Sequence, residues 1–313
     1  MSKPLALQLC PFSPMLEEGL AQLFEVTRWF ELDDAARSDM LGSRADEVRA
    51  IVTGGHIGCP PELMKALPQL GIIAINGVGY DKVDLAEART RGVRVTTTPD
   101  VLTFDVADLA VGLVIDLLRG ITLADRHVRE GLWLTGERPL MQRVTGRRFG
   151  VVGLGRIGRA TADRLTVFGP VRYNGPSKKE APFDYEPDLL SLAEWADVLV
   201  VTCQSNDTTR GLIGGRILSA LGPDGYLVNV ARGSVVDEPA LIEAVTTGAI
   251  AGAALDVFAD EPRVPQALID CGRVVLTPHI ASATAECRRS MAELVLSNLR
   301  AFLAGEPLPS PVA

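Results

Sequence analysis

At 313 residues, with 47% hydrophobic and 22% charged side chains, the chain has ordinary globular composition and exceeds the length at which one hydrophobic core keeps growing. Two domains are predicted. Its formal net charge of -8 disfavours nucleic acid or an anionic membrane as the main partner, since both reward a basic face.

Cys10, Cys59, Cys203, Cys271 and Cys287 are scattered without a CxxC pair. That pattern speaks against a disulfide framework and against a structural zinc site, so no metal is expected. It fits a reducing cytoplasm. The apolar run Leu5 to Cys10 is short, interrupted by Gln8 and stopped by Pro11, unlike a secretory signal.

Short runs of Val, Ile and Leu alternate with helical stretches from the start, the pattern of an α/β protein whose parallel sheets carry helices on both faces. The first half offers strands over 5–10, 24–30, 50–54, 71–76 and 93–97, one small doubly wound unit. The apolar stretch Val106 to Ile121 contains Asp108, Asp116 and Arg119 and is too short to span a bilayer, so it reads as a buried helix. Six further strands, over 149–153, 171–173, 198–203, 226–230, 251–257 and 274–276, form a second doubly wound unit, and 283–304 reads as an amphipathic helix ending near Gly305.

The run Phe149-Gly-Val-Val-Gly153-Leu-Gly155-Arg-Ile-Gly158 sets a G-x-G-x-x-G directly after an apolar strand and before a helical stretch over 159–168. Gly153 permits the tight turn, Gly155 lets backbone approach a pyrophosphate, and Gly158 allows close helix packing. The motif alone is weak, because glycine-rich turns also arise structurally. Its context makes a dinucleotide site the expectation.

About twenty residues on, where an NAD site carries Asp or Glu for the ribose 2′-hydroxyl, the chain reads Val171-Arg-Tyr-Asn174-Gly-Pro-Ser177-Lys178-Lys179. A carboxylate would repel a 2′-phosphate, whereas Ser177 can donate a hydrogen bond and Lys178 or Lys179 can supply charge. NADP(H) is therefore favoured over NAD(H), against the plainer alternative that both lysines are a solvated loop.

Arg232 follows the strand over 226–230 and would emerge at the carboxyl edge of the sheet, where ligands bind in open α/β folds. A guanidinium there can grip a carboxylate and polarise a keto oxygen; the competing reading is a surface salt bridge. His279, in Val274-Val-Leu-Thr-Pro-His279, also ends a strand, and imidazole suits proton transfer near neutrality. His127 lies in a charged helical stretch, and His56 in a glycine-rich loop that could edge a substrate pocket. Glu261 or its neighbour Asp260 would stabilise a protonated His279 by contact, and spacing alone leaves both open.

Together Asn76-Gly-Val-Gly-Tyr-Asp81, Val101-Leu-Thr103, the glycine motif, Asn229-Val-Ala-Arg-Gly233, Leu255-Asp-Val-Phe258, Asp260-Glu-Pro262 and Thr277-Pro-His-Ile-Ala-Ser282 resemble the D-isomer-specific 2-hydroxyacid dehydrogenases, in particular their glyoxylate/hydroxypyruvate reductase branch. The resemblance implies a Rossmann cofactor domain, 99–284, inserted in a flavodoxin-like substrate domain made of 1–98 and 285–313. It implies NADPH-dependent reduction of a small 2-keto acid: Arg232 binds and polarises substrate, His279 is the acid/base, and Glu261 orients His279. Asp260 then becomes the lesser candidate.

By the same resemblance, backbone at Thr53, Gly54, Val78 and Gly79, together with Ser282, belongs to the substrate set. The cofactor set takes in Thr103, Leu154, Arg156, Ile157, Asn174, Cys203, Thr209, Val230, Ala231, Asp256 and Ala281 beside the three glycines and Ser177 to Lys179. Homodimers are implied, with 133–140 near their interface. Pro176 departs from the branch, whose NADP-using members often carry arginine there, as do Ala281 in place of glycine and Gln204-Ser205 in place of an apolar pair. The loop Val52-Thr-Gly-Gly-His-Ile-Gly58 lacks the cation a phosphoglycerate dehydrogenase needs, and Glu261 stands where formate dehydrogenases carry glutamine. A family dehydrogenase acting on an aryl pyruvate, or a dinucleotide-sensing corepressor on the same fold, are the alternatives.

Overall fold

The computed structural model describes residues 3–312. Two compact units are formed, one from the chain up to Leu102 together with that from Thr284 onward, the other from Thr103–Ala283.

In the first unit β1 (Leu5–Gln8), β2 (Glu25–Arg28), β3 (Val48–Gly54), β4 (Ile72–Asn76) and β5 (Arg94–Thr96) make a sheet of order β2-β1-β3-β4-β5, parallel throughout. Because helices cover both faces, β1 and β3 are apolar on both sides, and Leu5, Leu7, Ile51 and Val52 are fully buried. Each such side chain contributes about 1.5–3 kcal/mol on burial. The helix Ala285–Ala304, capped at Thr284 by its Oγ1 accepting from Cys287 N–H at 3.1 Å, lays Ala292, Val295, Leu296 and Leu299 on this sheet. It begins two residues later than the periodicity predicts, since Thr284 is spent as the cap.

The second unit holds β6 (Phe149–Val152), β7 (Val171–Asn174), β8 (Asp184–Tyr185), β9 (Val198–Val201), β10 (Tyr226–Asn229), β11 (Gly252–Leu255) and β12 (Val274–Leu276) in the order β12-β11-β10-β9-β6-β7-β8. All pairs are parallel, and the strand order reverses between β6 and β9, the switch point at which such sheets bind ligands. Two parallel α/β units were expected, and the strand count differs by one. The two-residue β8 pairs Asp184 with Arg172 and Tyr185 with Tyr173, a segment too short to carry any periodicity of its own.

The apolar stretch after Pro99 folds as the helix Thr103–Arg119, burying Val106, Ala110, Leu113, Val114 and Leu117 at helical spacing. It does not run on to Ile121. Gly120 takes a left-handed φ of 61°, which ends it, and a second helix, Ile121–Arg129, follows with none of its residues buried. Among the described residues no helix is long and apolar enough to cross a membrane.

Candidate active site

The glycines after β6 behave as three different devices. Gly153 has φ 94°, and a Cβ there would stand 2.5 Å from Cys203 Cα, just past β9. At Gly158 a Cβ would lie 1.9 Å from the Gly153 carbonyl oxygen, so only glycine lets the helix Arg156–Leu165 start this close to the strand. Gly155 caps that helix, and a Cβ built on it meets nothing within 4 Å. Open space thus stands over a ten-residue helix's N-terminus, which fits a pyrophosphate. Thr202 Oγ1 donates to the Gly153 carbonyl at 2.8 Å and braces the turn, a part no sequence signal assigned it.

Past the next strand, β7, the chain from Pro176 to Glu180 is exposed, so Ser177, Lys178 and Lys179 face solvent. Its two ends are tied down. Tyr173, fully buried, accepts Lys179 N–H at 2.6 Å and donates to the Lys179 carbonyl at 3.2 Å, while Tyr185 donates to the Gly175 carbonyl at 2.9 Å. Asn174 at the strand end spends its amide on the carbonyls of Glu186 and Pro187, at 2.9 and 3.0 Å. Both of its donors are therefore used by the fold, and they hold the strand end in place.

Three consecutive strand ends carry the remaining chemistry. At the end of β10, Asn229 accepts Ala231 N–H on Oδ1 and donates from Nδ2 to the Arg232 carbonyl, both at 3.0 Å. Arg232 follows in extended conformation, half-buried, with Nη1 donating to the Ala231 carbonyl at 2.8 Å. Val230 and Ala231 are buried beside it.

After β11 comes Asp256, fully buried. A buried carboxyl group needs hydrogen-bond partners, and it has three. Oδ1 accepts from Thr277 Oγ1 at 2.6 Å and from Ile280 N–H at 2.8 Å, and Oδ2 accepts from Ala281 N–H at 3.0 Å. Asp256, expected to contact the cofactor, braces the fold through these bonds: its oxygens hold the turn after β12. That turn contains His279 at φ 52°, a left-handed conformation that costs a residue with a side chain about 1–3 kcal/mol and persists only where the surroundings enforce it.

The alternative between Asp260 and Glu261 is decided by geometry. Asp260 takes Arg263 in two bonds, 2.7 and 3.0 Å long. Glu261 Oε2 lies 2.7 Å from His279 Nδ1, with side-chain exposures of 22% and 31%, and its Oε1 accepts Phe258 N–H at 3.1 Å. With the carboxylate on one ring nitrogen, imidazole can exchange a proton through the other, Nε2.

Other singled-out residues stand elsewhere. Thr103 opens its helix, Leu154, Arg156 and Ile157 surround the glycine turn, and Cys203 lies behind Gly153, its thiol pushed up by burial to about 11. Thr209 closes a turn by donating to the Gln204 carbonyl at 2.7 Å, and Ser205, buried, shares a 2.8 Å hydrogen bond with Ser234. Ser282 is half-buried in the turn after His279. His127 Nε2 sits 3.1 Å from the Gly136 carbonyl on the surface.

In the first unit, Thr53 and Gly54 end β3 opposite Ile75 and Asn76 of β4, and Val78 and Gly79 follow β4 in a half-buried loop. Thr53 Oγ1 donates to the Gly58 carbonyl at 2.7 Å, and His56 lies over Gly54, whose Cβ would come within 2.8 Å of its ring. Among the described residues no group of three His, Cys, Asp or Glu is placed to hold a metal.

A glycine cradle at the switch point of a seven-stranded parallel sheet, with an Arg and a Glu–His pair on neighbouring strand ends, defines a dinucleotide-binding oxidoreductase. Residues 111–281 match the family described as D-isomer specific 2-hydroxyacid dehydrogenase, NAD binding domain. Over 308 residues the chain is 44% identical to hydroxyphenylpyruvate reductase of Plectranthus scutellarioides, covering 98% of each. It is 42% identical to a glyoxylate/hydroxypyruvate reductase A of Arabidopsis thaliana over the same share of both chains. An NADPH-dependent glyoxylate/hydroxypyruvate reductase of Sinorhizobium meliloti, solved with NADP and malonate, superposes with a TM-score of 0.93 at 42% identity, covering 100% of this chain and 97% of that one. The chain belongs to the D-isomer-specific 2-hydroxyacid dehydrogenase family.

Proposed function

We propose that the protein reduces a small 2-keto acid, such as glyoxylate or hydroxypyruvate, to the D-2-hydroxy acid with NADPH. The observation that carries this reading is the 2.7 Å Glu261–His279 pair in the same unit as Arg232 and the glycine cradle. The names of the relatives, which act on glyoxylate, hydroxypyruvate and hydroxyphenylpyruvate, support the substrate class.

When bound along Gly153, Gly155 and Gly158, the dinucleotide supplies a hydride to the carbonyl carbon. Arg232 holds the substrate and draws electron density onto the keto oxygen, because a guanidinium stays charged and offers paired donors. His279 gives the Nε2 proton to that oxygen as it becomes an alkoxide, and Glu261 keeps the ring oriented and its positive charge compensated. Backbone at Thr53, Gly54, Val78 and Gly79 is assigned to the substrate carboxylate. Ser177, Lys178 and Lys179 are assigned to the 2′-phosphate, a reading supported by the absence of any carboxylate at the end of β7.

We further propose a homodimer working in the cytoplasm. Trp133, Leu134 and Leu140 are 68%, 93% and 98% exposed in one chain, a run of bare apolar surface that a second copy would cover. Light scattering reads the mass directly.

The decisive assay follows loss of NADPH with glyoxylate, hydroxypyruvate and hydroxyphenylpyruvate. His279→Ala should lower kcat by roughly 10²–10⁴-fold with NADPH binding retained. Absence of turnover across the panel would overturn the reading and favour a dinucleotide-sensing binding protein.

A further inference from the structure

We infer that Asn229 is a positioning residue for Arg232, setting the reach of the guanidinium from below the sheet edge. The inference rests on the part proposed above for Arg232.

Asn229 is the last residue of β10 and 1% exposed. Its carboxamide uses both ends on the three residues that follow it. Oδ1 accepts Ala231 N–H, the i to i+2 bond of an Asx turn, and Nδ2 donates to the Arg232 carbonyl. A donor and an acceptor at fixed separation are both needed. Asp lacks the donor, and Ser or Thr is too short to span the two sites. The turn is thereby closed on each side of Ala231, and Arg232 leaves it extended, φ -144° and ψ 148°.

Two further contacts make this turn a fixed platform. The Asn229 carbonyl accepts Asp256 N–H at 3.0 Å, joining it to the residue that braces the His279 turn. Gly233, next after Arg232, lies so near the neighbouring chain that a Cβ would stand 2.0 Å from the Phe258 carbonyl oxygen. Phe258 N–H in turn donates to Glu261 Oε1. Asn229 thus registers Arg232 against the segment that carries Glu261. A polar group this buried gives no direct contact to a substrate, so its influence passes through the residue it holds.

A double-mutant cycle separates positioning from general support of the fold. The variants are Asn229→Ala, Arg232→Ala and both together, read by kcat/KM for hydroxypyruvate with NADPH, by NADPH binding and by thermal midpoint. Asn229→Ala is expected to cost roughly 10²-fold in kcat/KM, the scale of an ångström of misplacement at a reacting group, with NADPH affinity held within about 2-fold. In the Arg232→Ala background the same change should cost no more than about 2-fold, because the group it positions is gone.

Additive losses, or an Asn229→Ala enzyme with parental kcat/KM, would overturn the inference. A parental kcat/KM in Arg232→Ala would instead overturn the part given to Arg232 itself. Should Asn229→Ala fail to fold, Asn229→Asp runs the same cycle, since the carboxylate keeps the bond from Ala231 N–H and sets an acceptor against the Arg232 carbonyl in place of the donor.

Discussion

Glu261 and His279, eighteen residues apart in sequence, meet at 2.7 Å through Oε2 and Nδ1, while the adjacent Asp260 turns to Arg263. Keto acid reduction needs a proton donor held at the keto oxygen, and the carboxylate on Nδ1 fixes the ring that supplies it. In Glu261→Gln the carboxylate on the ring is lost, so kcat for reduction should fall with NADPH binding retained. A kcat equal to the parent's would remove Glu261 from the mechanism.

Asp256 holds the left-handed turn of His279 by three acceptor bonds. In Asp256→Asn one oxygen becomes an NH2 facing an N–H or O–H donor. The expected loss is about 1–3 kcal/mol of stability in urea melts, the cost of unmade buried bonds, together with a lowered kcat. A parental melting midpoint would show that the turn holds its shape unaided.

The Tyr173 hydroxyl fixes Lys179 from below. Tyr173→Phe keeps the ring and removes both bonds, which together are worth about 1 kcal/mol or somewhat more. KM for NADPH should rise several-fold with KM for NADH unchanged, and Ser177→Ala with both lysines replaced by Ala should exceed it in the same direction. Equal rises for the two cofactors would detach this loop from the 2′-phosphate.

Burial pushes the Cys10 and Cys203 thiols up to about 11 and Cys59 to about 12, from an ordinary 9.0. Above pH 9 the unfolded chain releases these protons while the folded one keeps them, so the unfolded state binds fewer protons and stability falls as pH rises through that window. The contribution is fully present below it. Thermal midpoints measured from pH 8 upward should decline, and Cys59→Ala should flatten the decline; an unaltered slope would exclude Cys59 as a source.

The sequence by itself determined the alternation that makes two parallel sheets, the glycine spacing of the cradle, the missing acid after β7, and the strand ends that carry Arg232 and His279. All of these are local: a strand's apolar run, a turn's need for glycine and a residue's place after a strand are legible within a dozen positions. Asn229 was also within reach, since an Asn two residues before a turn is a recognised turn-former. Only tertiary structure chose Glu261 over Asp260, gave Asp256 to the His279 turn, spent Asn174's amide on residues 186–187 and paired β8 with β7. Those outcomes depend on which polar groups, 12 to 25 residues apart, are brought within 3 Å by the packing of distant segments. Adjacent carboxylates look alike until the fold decides which is buried beside a partner.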